Sequence, residues 1–285
     1  MDKTLFLLLV TFILASCTNI NTTVDKSNLR SSDYRLFQGT PVWPLAKAAY
    51  DNDLDEVARI LKSRPELANI PDSVYGGTML MKSITLQNYD LFKVLLENGA
   101  NVNYHDKSND ISPLMEACSV TKGDSRFVRD LINKGAKVND TSARLGTPMF
   151  MAVTYSTLPI VRLLKQNGAN MNYRIPLGYN ILSRAIIVKN YDIALFLLEN
   201  GVDYNQPTKI SRDEHGQVKR QLNILETLRY ETPSIISSDF NKKQRIIAFL
   251  ESNGLDYHAT PIPDIVIKEI KEEYPVIWRY YLNNY

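Results

Sequence analysis

Apolar residues recur along the chain at a period near 33 residues, at two kinds of landmark. One is an apolar pair followed shortly by glycine, at Gly99, Gly135, Gly168, Gly201 and Gly254. The other is an apolar residue that opens a short helical pattern, with successive spacings of 35, 34, 35, 33 and 43 residues. It occurs at Leu45, Leu80, Leu114, Met149, Leu182 and Leu225. One such repeat cannot bury both of its helices alone, so the pattern predicts about six stacked helix pairs.

Helix-capping residues flank these landmarks. The residue two positions before the landmark is of a type that accepts hydrogen bonds from free backbone N–H groups. These residues are Thr78, Ser112, Thr147, Asn180 and Asn223. Prolines follow where the first helical turn needs no N–H donor, at Pro44, Pro113 and Pro148. The glycines can adopt the left-handed backbone conformation that commonly ends a helix. The sequence therefore predicts where the first helix of a repeat begins and where the second one ends.

Several of these segments resemble the ankyrin repeat. Residues 95–103 (LLENGANVN) are similar to its L-L-x-x-G-A-x-x-N, and residues 147–152 (TPMFMA) are similar to its T-P-L-H-x-A. The resemblance implies an all-α solenoid of paired antiparallel helices with β-hairpin-like turns. It also implies binding to another protein. The family's histidine is absent, which predicts looser turns; its place is taken by Ala46, Met81, Met115, Phe150, Ser183 and Glu226.

The repeats are expected over 41–259, followed by a C-terminal helical cap over 260–285. Mixed charges within the cap make it a poor membrane-lying helix, which is the alternative. The polar stretches 206–219 and 231–243 are predicted to be long exposed loops. The expected repeat ranges are 41–72, 73–106, 107–142, 143–175, 176–208 and 218–259.

The N-terminus has the pattern of a secretion signal. Lys3 precedes the apolar run 5–14, which is shorter than the about 20 residues of a membrane-spanning helix. Residues 14–17 (LASC) resemble the bacterial lipobox. The resemblance implies removal of residues 1–16 as a signal peptide and acylation of Cys17, including palmitate. A simple secretion signal with an incidental cysteine is the alternative.

These features predict a lipid-anchored protein of the bacterial cell envelope. Thr18 is a residue that, in this class, permits sorting to the outer membrane, so we expect a protein facing the periplasm, with surface display also possible. Residues 17–40 are polar and predict a lipidated cysteine with a flexible tether. Within it, Tyr34, Leu36 and Phe37 are candidates for docking onto the first repeat.

Composition narrows the class of partner. The net charge is +2, with 22% charged and 44% hydrophobic residues, an ordinary globular mixture. A nucleic-acid partner usually requires a strong basic excess, so none is expected. Cys118 lies in an apolar helical pattern and is predicted to be an inert core residue rather than a reactive thiol.

No catalytic constellation stands out in the sequence. His105, His215 and His258 fall in predicted turns, without metal-ligand neighbours at helical or C-x-x-C spacing. Neither a phosphate-binding glycine loop nor a nucleophile elbow is present. We expect no enzymatic activity, cofactor, metal or small-molecule substrate. An enzyme with a disguised site is the alternative.

Ankyrin-like stacks bind partners on a concave surface of turn tips and first helices, so the resemblance marks candidate partner-binding residues. These are Tyr50, Tyr75, Arg144, Tyr155, Tyr179 and Tyr230. Tyrosine is favoured at binding hot spots, but the chain has 16 tyrosines, and packing is an equally good interpretation. The predicted function is a membrane-anchored interaction scaffold that binds an unidentified protein. The alternative is an immunity-type protein that sequesters a toxin or secreted effector in the periplasm.

Overall fold

The chain is described by a computed structural model that covers residues 22–120, 123–175, 178–212 and 217–285. These residues form two compact units. Unit 1 lies within 22–101 and 106–108, and unit 2 within 102–105 and 109–285. The regular structure of the described residues is fourteen α-helices, three short 3₁₀ helices and one two-stranded sheet. The predicted all-α class is confirmed.

Unit 1 contains two helix pairs. Their helices are α1 (Trp43–Tyr50), α2 (Leu54–Ser63), α3 (Met79–Thr85) and α4 (Tyr89–Glu97). Each helix packs on its pair partner, and α2 also packs on α4. A 3₁₀ helix, Pro65–Asn69, replaces the missing glycine turn after α2. The landmark residues Leu45 and Leu80 are fully buried, as the apolar period predicts.

Unit 2 continues the same arrangement with four more pairs. Their first helices form one packed row, and their second helices form another. The first helices are α5 (Pro113–Val120), α7 (Pro148–Tyr155), α9 (Ile181–Ile187) and α11 (Ile224–Arg229). The second helices are α6 (Ser125–Asn133), α8 (Leu158–Gln166), α10 (Tyr191–Glu199) and α12 (Ser238–Ser252). The landmarks Leu114, Met149, Leu182 and Leu225 are all buried.

An asparagine side chain links one repeat of unit 2 to the next. Asn103 donates to the Gly135 carbonyl at 3.0 Å and accepts from the Lys137 N–H at 2.9 Å. Asn139 repeats both contacts with Gly168 and Asn170 one repeat later. Gly135 can offer its carbonyl in this turn because its φ of 87° is accessible to glycine. The asparagine of the G-A-x-x-N pattern is thus a stacking residue.

The predicted N-caps form at three of the five positions. A side-chain oxygen accepts from a backbone N–H three residues later at Thr147, Asn180 and Asn223. Thr78 makes no such bond, and the buried hydroxyls of Thr78 and Ser112 have no hydrogen-bond partner among the described residues. Met81 and Met115, which replace the family's histidine, supply no polar hydrogen that could reach them. The cap prediction is therefore wrong at Thr78 and Ser112.

In the described parts of the polar stretch 206–219, the chain forms strand structure rather than the predicted loop. Strands β1 (Lys209–Arg212) and β2 (Val218–Leu222) form an antiparallel hairpin in which Lys209 lies opposite Leu222. The other edge of β1 pairs with Tyr179, so its backbone groups are paired on both sides. The loop prediction for 231–243 is also wrong in its second half, because α12 begins at Ser238.

The tether prediction for 17–40 is wrong for much of the segment that the structure describes. Residues 26–28 and 34–37 are 3₁₀ helices capped by Asp25 and Asp33. Tyr34, Leu36 and Phe37 are buried in unit 1, in agreement with the docking expected for these three residues. Their apolar area outweighs the polar composition of the surrounding segment. Cys17 and residues 18–21 lie outside the described residues.

Two helices, α13 (Asp264–Glu273) and α14 (Trp278–Asn284), follow the last repeat and pack against each other. Tyr281 in α14 and Tyr285, which directly follows α14, are both buried. The Tyr281 hydroxyl donates to the Pro233 carbonyl at 2.6 Å. The guanidinium of Arg229 donates to the Tyr285 carbonyl at 2.7 Å and lies 3.8 Å from the Tyr257 ring centre. These contacts attach the two helices to the sixth helix pair.

Candidate partner-binding surface

A cavity of about 360 Å³ opens in unit 2 between the β1–β2 hairpin and helices α9 and α11. We call it the hairpin cavity. It brings together two of the predicted binding tyrosines, which lie 51 residues apart in the sequence (230 − 179). Its lining residues are Tyr179, Ile187, Lys209, Arg220, Leu222, Thr227, Tyr230 and Glu231.

The walls of the hairpin cavity are held in place by buried contacts. The Thr208 hydroxyl contacts the Thr227 hydroxyl at 2.5 Å and donates to the Leu222 carbonyl at 2.9 Å. On the other side, the Ile210 N–H donates to the Gly178 carbonyl at 3.1 Å. A side chain at Gly178 would meet the Ile210 carbonyl, because its Cβ would lie 2.2 Å from that oxygen. The hairpin is therefore tied both to α11 and to the turn before α9.

The hairpin cavity combines aromatic, apolar and charged groups. The Lys209 ammonium lies 5.3 Å from the Tyr179 ring centre, within cation–π distance. The Arg220 guanidinium lies 3.4 Å from the Tyr230 hydroxyl. Ile187 and Tyr230 are 38% and 37% exposed, more than core residues normally are. The described lining therefore offers both apolar and polar contacts.

Glu231 is the acidic group of the hairpin cavity. Burial raises the pKa of its carboxyl group to about 7, although the nearby positive charges of Lys189 and Lys243 act in the opposite direction. Lys243 is itself fully buried, and burial lowers its pKa well below the ordinary value. Its ammonium donates to the Glu231 carbonyl at 2.9 Å. The negative charge in the cavity is therefore only partly developed near neutral pH.

Two further predicted residues, Arg144 and Tyr155, lie in unit 2 outside the lining of the hairpin cavity. Tyr155 is 55% exposed at the end of α7. Arg144 is exposed in the turn before α7, where its N–H donates to the Ser142 hydroxyl at 3.3 Å. Both side chains are accessible from solvent, as a binding residue requires.

In unit 1 the N-terminal segment lies against both predicted binding tyrosines. The Tyr75 hydroxyl donates to the Leu29 carbonyl at 2.8 Å. The rings of Tyr50 and Tyr34 meet edge to face, with centroids 6.1 Å apart. Tyr50 keeps half of its surface exposed and lines a shallow cavity of about 440 Å³. Tyr75 thus has a packing role within the chain, whereas Tyr50 combines packing with exposure.

The predicted turn histidine His105 has two acidic partners within unit 2. Its Nδ1 lies 2.9 Å from Asp110 Oδ1, and its Nε2 lies 2.8 Å from Asp140 Oδ2. Desolvation of the ring opposes its protonation, but the hydrogen bonds to the two carboxylates raise its pKa overall. No group of three or more potential metal ligands occurs among the described residues. His258 is exposed in a turn, and His215 lies outside the described residues.

Cys118 lies fully buried in α5, and burial raises the pKa of its thiol. The burial confirms the prediction of a core cysteine. Because its raised pKa keeps the thiol protonated, Cys118 is also a poor nucleophile. Across the described part of the chain, none of the helices has the length and apolar character needed to cross a bilayer.

Sequence reasoning missed the contribution of the hairpin to this surface. Lys209 and Glu231 lie in stretches that the sequence suggested were exposed loops, and Arg220 and Leu222 follow directly after the first of them. A usable signal was present, because residues 218–222 (VKRQL) begin and end with apolar residues around polar ones, as a half-buried strand does. The 33-residue period concealed the hairpin because the extra residues fall between two landmarks.

The comparisons with known proteins agree with the repeat geometry. The family model for ankyrin repeats (3 copies) matches residues 114–208. An ankyrin repeat protein of Rickettsia bellii is 35% identical over 36% of this chain and 31% of its own length. Human ankyrin repeat and SOCS box protein 11 is 31% identical over 44% of this chain and 38% of its own length.

A third relative, from Saccharomyces cerevisiae, is named "Probable 26S proteasome regulatory subunit p28". It is 28% identical over 51% of this chain and 64% of its own length. The matched part spans about a third of the Rickettsia and human relatives. Ankyrin repeats imply interaction with another protein. The helix pairs, the glycine turns and the family match together show that this chain contains ankyrin repeats.

Proposed function

We propose that the chain is a lipid-anchored interaction scaffold of the bacterial cell envelope, and that unit 2 carries its partner-binding surface. The observation that carries the binding proposal is the exposed side chains of Tyr155 and Tyr230 on ankyrin repeats, close to the ends of helices α7 and α11. Tyrosine is enriched among the residues that contribute most to protein–protein binding. The proposed role is binding without catalysis.

Unit 2 is favoured over unit 1 because the described part of the N-terminal segment already contacts the candidate residues of unit 1. In unit 1, Tyr75 is bonded to Leu29, and Tyr50 contacts Tyr34. A partner that used Tyr75 would have to displace that contact. Binding in unit 2 incurs no such cost, so the same contact area gives a higher affinity there.

The proposed anchor is Cys17, and its support is the resemblance of residues 14–17 to a lipobox. Two or more acyl chains on one residue give stable membrane attachment, whereas one chain does not. From Cys17 to Asp25, which caps the first 3₁₀ helix, there are eight peptide steps (25 − 17). These reach at most about 26–29 Å. Unit 1 would thus remain close to the membrane surface, with far less freedom than a 24-residue tether gives.

The anchor is tested by expressing the full chain in a bacterium and comparing it with Cys17→Ser and Cys118→Ser. We expect the wild type and Cys118→Ser in the membrane fraction, with an acyl-modified Cys17 in the mass spectrum. The variant Cys17→Ser should be released from that fraction. A wild type that is recovered soluble and unmodified, or a Cys17→Ser variant that stays membrane-bound, would contradict the anchor.

The binding role is tested by crosslinking the chain in intact envelopes and identifying the partners by mass spectrometry. The test variant replaces Tyr155, Tyr179 and Tyr230 by alanine, and Tyr75→Phe is the control. A partner captured by the wild type and the control, but lost with the triple variant, supports the proposal if the variant remains folded. A toxin or secreted effector as that partner would favour the immunity-type alternative. Equal capture by the triple variant would refute the proposed surface.

A further inference from the structure

The imidazole ring of His105 joins two neighbouring repeats of unit 2. Its Nδ1 lies 2.9 Å from Asp110 Oδ1, and its Nε2 lies 2.8 Å from Asp140 Oδ2. Asp110 precedes α5, whereas Asp140 precedes α7 in the next repeat. A protonated ring has two N–H donors and can serve both carboxylates, but a neutral ring has only one. The hydrogen bond to one of the two carboxylates is therefore lost with the proton.

Asp110 is the carboxylate that a neutral ring releases at the lower cost. Its side chain is 53% exposed, against 13% for Asp140, so water can solvate the released carboxylate of Asp110 directly. Asp110 also has a left-handed backbone conformation with a φ of 56°, which a residue with a Cβ adopts only at some cost. The neutral ring should therefore keep its Nε2–H bond to Asp140 and release Asp110.

Asp110 also fixes the turn before α7, which we call the Arg144 turn (residues 142–146). Its carboxylate accepts a hydrogen bond from the Ala143 N–H. The Ser142 hydroxyl accepts from the Arg144 N–H at 3.3 Å and donates at 3.0 Å to the carbonyl of the residue before Asp110. A movement of Asp110 is therefore transmitted to the turn that exposes Arg144.

The carboxylates around His105 favour the protonated ring. Desolvation lowers the pKa of the ring, but the hydrogen bonds to Asp110 and Asp140 outweigh it and raise the pKa above the ordinary 6.5. The ring is therefore protonated in mild acid and loses its proton as the pH rises through the raised value. Further charged residues of the two connections (98–112 and 134–147) and of α5 are Asp106, Lys107, Glu116, Lys134, Lys137 and Arg144.

We infer that His105, Asp110 and Asp140 form a proton-dependent clasp that orders the Arg144 turn in mild acid and loosens it as the pH rises. The protonated ring holds Asp110 where it bonds the turn, and the neutral ring releases it. Because Arg144 is a candidate partner-binding residue, the clasp makes the presentation of this residue dependent on pH. That consequence rests on the proposed binding function of unit 2, whereas the clasp itself is a property of the chain alone.

The clasp is tested on the full chain carrying Cys17→Ser and Arg144→Cys, with a nitroxide label at position 144. Cys118 is fully buried, so the label reacts at the exposed position. Electron paramagnetic resonance should show a label that becomes more mobile between pH 5.5 and pH 9, its correlation time falling by about twofold or more. The midpoint of this change should coincide with the titration of the His105 ring, followed in the same protein by carbon-13 NMR.

Two variants separate the clasp from a general effect of pH. His105→Gln can still donate one hydrogen bond but cannot titrate, so the mobility of the label should not depend on pH. In Asp110→Asn the amide can accept from a protonated ring or donate to a neutral one, so the contact survives in both states. His105 should still titrate there, with a lower midpoint, but the label should no longer follow it. Circular dichroism checks the fold, and Asp110→Asn decides alone if His105→Gln does not fold.

The clasp is refuted if the label on the parent chain keeps the same mobility across this pH range, or if it responds equally in Asp110→Asn. A midpoint that differs from that of the His105 ring has the same consequence. The proposed function fails separately, because its crosslinking test uses Tyr155, Tyr179 and Tyr230, which the clasp variants leave unchanged. If no partner depends on these tyrosines while the label follows His105, the binding surface is refuted and the clasp stands.

Discussion

The ammonium group of Lys82 lies 3.2 Å from a carboxylate oxygen of Asp72, and neither side chain is accessible to solvent. Asp72 also accepts hydrogen bonds from the N–H groups of Tyr75 at 2.7 Å and Gly77 at 3.1 Å. Lys82 donates to the carbonyl of Ser31. One buried pair therefore fixes a turn of unit 1 and the position of its N-terminal segment.

Asp72→Ala should strongly destabilise unit 1. The substitution leaves the buried Lys82 ammonium without its carboxylate. It also deprives the N–H groups of Val74, Tyr75 and Gly77 of their acceptor. Breaking a buried pair in this way costs about 3–5 kcal/mol. Burial already lowers the pKa of Lys82, an effect that Asp72 opposes, so the lysine in this variant should also lose its proton more easily. Thermal unfolding monitored by circular dichroism measures the loss.

Lys82→Met is the comparison for Asp72→Ala. Methionine preserves most of the buried volume, and Asp72 keeps its backbone donors, so the loss of stability should be clearly smaller. Hydrogen exchange at Tyr75 and Gly77 should increase in Asp72→Ala but not in Lys82→Met. Equal destabilisation by the two substitutions would show that the charge pair, and not the turn, dominates.

Tyr75→Phe should loosen the N-terminal segment without unfolding unit 1. The substitution removes only the hydroxyl that donates to the Leu29 carbonyl, which is worth about 0.5–1.5 kcal/mol. Limited trypsin digestion should therefore cut faster at Arg30, which is exposed beside this contact. Tyr155→Phe is the matched control, since it removes an exposed hydroxyl elsewhere. An unchanged rate of cleavage at Arg30 would show that the contact does not hold the segment.

Thr147→Ala and Ser112→Ala should have different effects, although the two residues occupy equivalent positions in neighbouring repeats. The Thr147 hydroxyl accepts from the Phe150 N–H at 3.2 Å, and losing such a cap costs about 1 kcal/mol. The Ser112 hydroxyl is buried without a hydrogen-bond partner among the described residues. Its removal should be neutral or stabilising. Urea unfolding of both variants measures the difference, and a larger loss for Ser112→Ala would contradict it.

The repeating part of the fold could be predicted from the sequence because its determinants are local and periodic. The landmark residues, the glycine turns and the caps at Thr147 and Asn180 each depend on a few neighbouring residues. The prediction of an N-cap at Thr78 was wrong, because its hydroxyl accepts no hydrogen bond from the helix that follows. The residue type shows that a side chain can cap a helix, but the bond also requires a backbone N–H group within hydrogen-bond distance.

The candidate site could be predicted only in part, because its contacts join distant segments. Tyr179 and Tyr230 were found from their repeat positions, but the hairpin that brings Lys209 and Arg220 beside them is an insertion outside the period. The polar residues 22–33 suggested a free chain, whereas a few apolar residues after them, such as Phe37, decide that the segment packs on unit 1. Pairings between distant segments leave no local pattern in a single sequence.

Glu231→Gln should stabilise the chain at alkaline pH and have little effect in acid. Burial raises the pKa of Glu231 to about 7 from an ordinary 4.5, against the opposing charges of Lys189 and Lys243. The folded state therefore binds more protons than the unfolded state between these values. Stability is lost as the pH rises from about 4.5 through about 7. The variant lacks this loss, so its melting temperature should exceed that of the wild type by a few degrees at pH 8.

The comparison at pH 4 is the internal control for Glu231→Gln, because a protonated glutamate and a glutamine are both neutral. The two proteins should then melt within about a degree of each other. A variant that is less stable than the wild type at pH 8 would show that the ionised carboxylate is stabilised by Lys189 and Lys243 more than it is penalised by burial.

His105 should give a pH dependence of the same sign, because folding raises its pKa as well, but here the substitution acts mainly in acid rather than in alkali. Hydrogen bonds to Asp110 and Asp140 outweigh the desolvation of its ring and raise its pKa above the ordinary 6.5. The protonated ring can donate to both carboxylates, so its stabilisation is complete below about pH 6.5 and is lost as the pH rises through the raised folded-state value.

His105→Asn should therefore destabilise unit 2 by on the order of 1 kcal/mol at pH 5.5. The difference from the wild type should shrink at pH 9. His258→Asn removes an imidazole from an exposed turn and serves as the control. Urea unfolding at the two pH values measures the effect, and a pH-independent loss in His105→Asn would show that the ring acts by packing rather than by its charge.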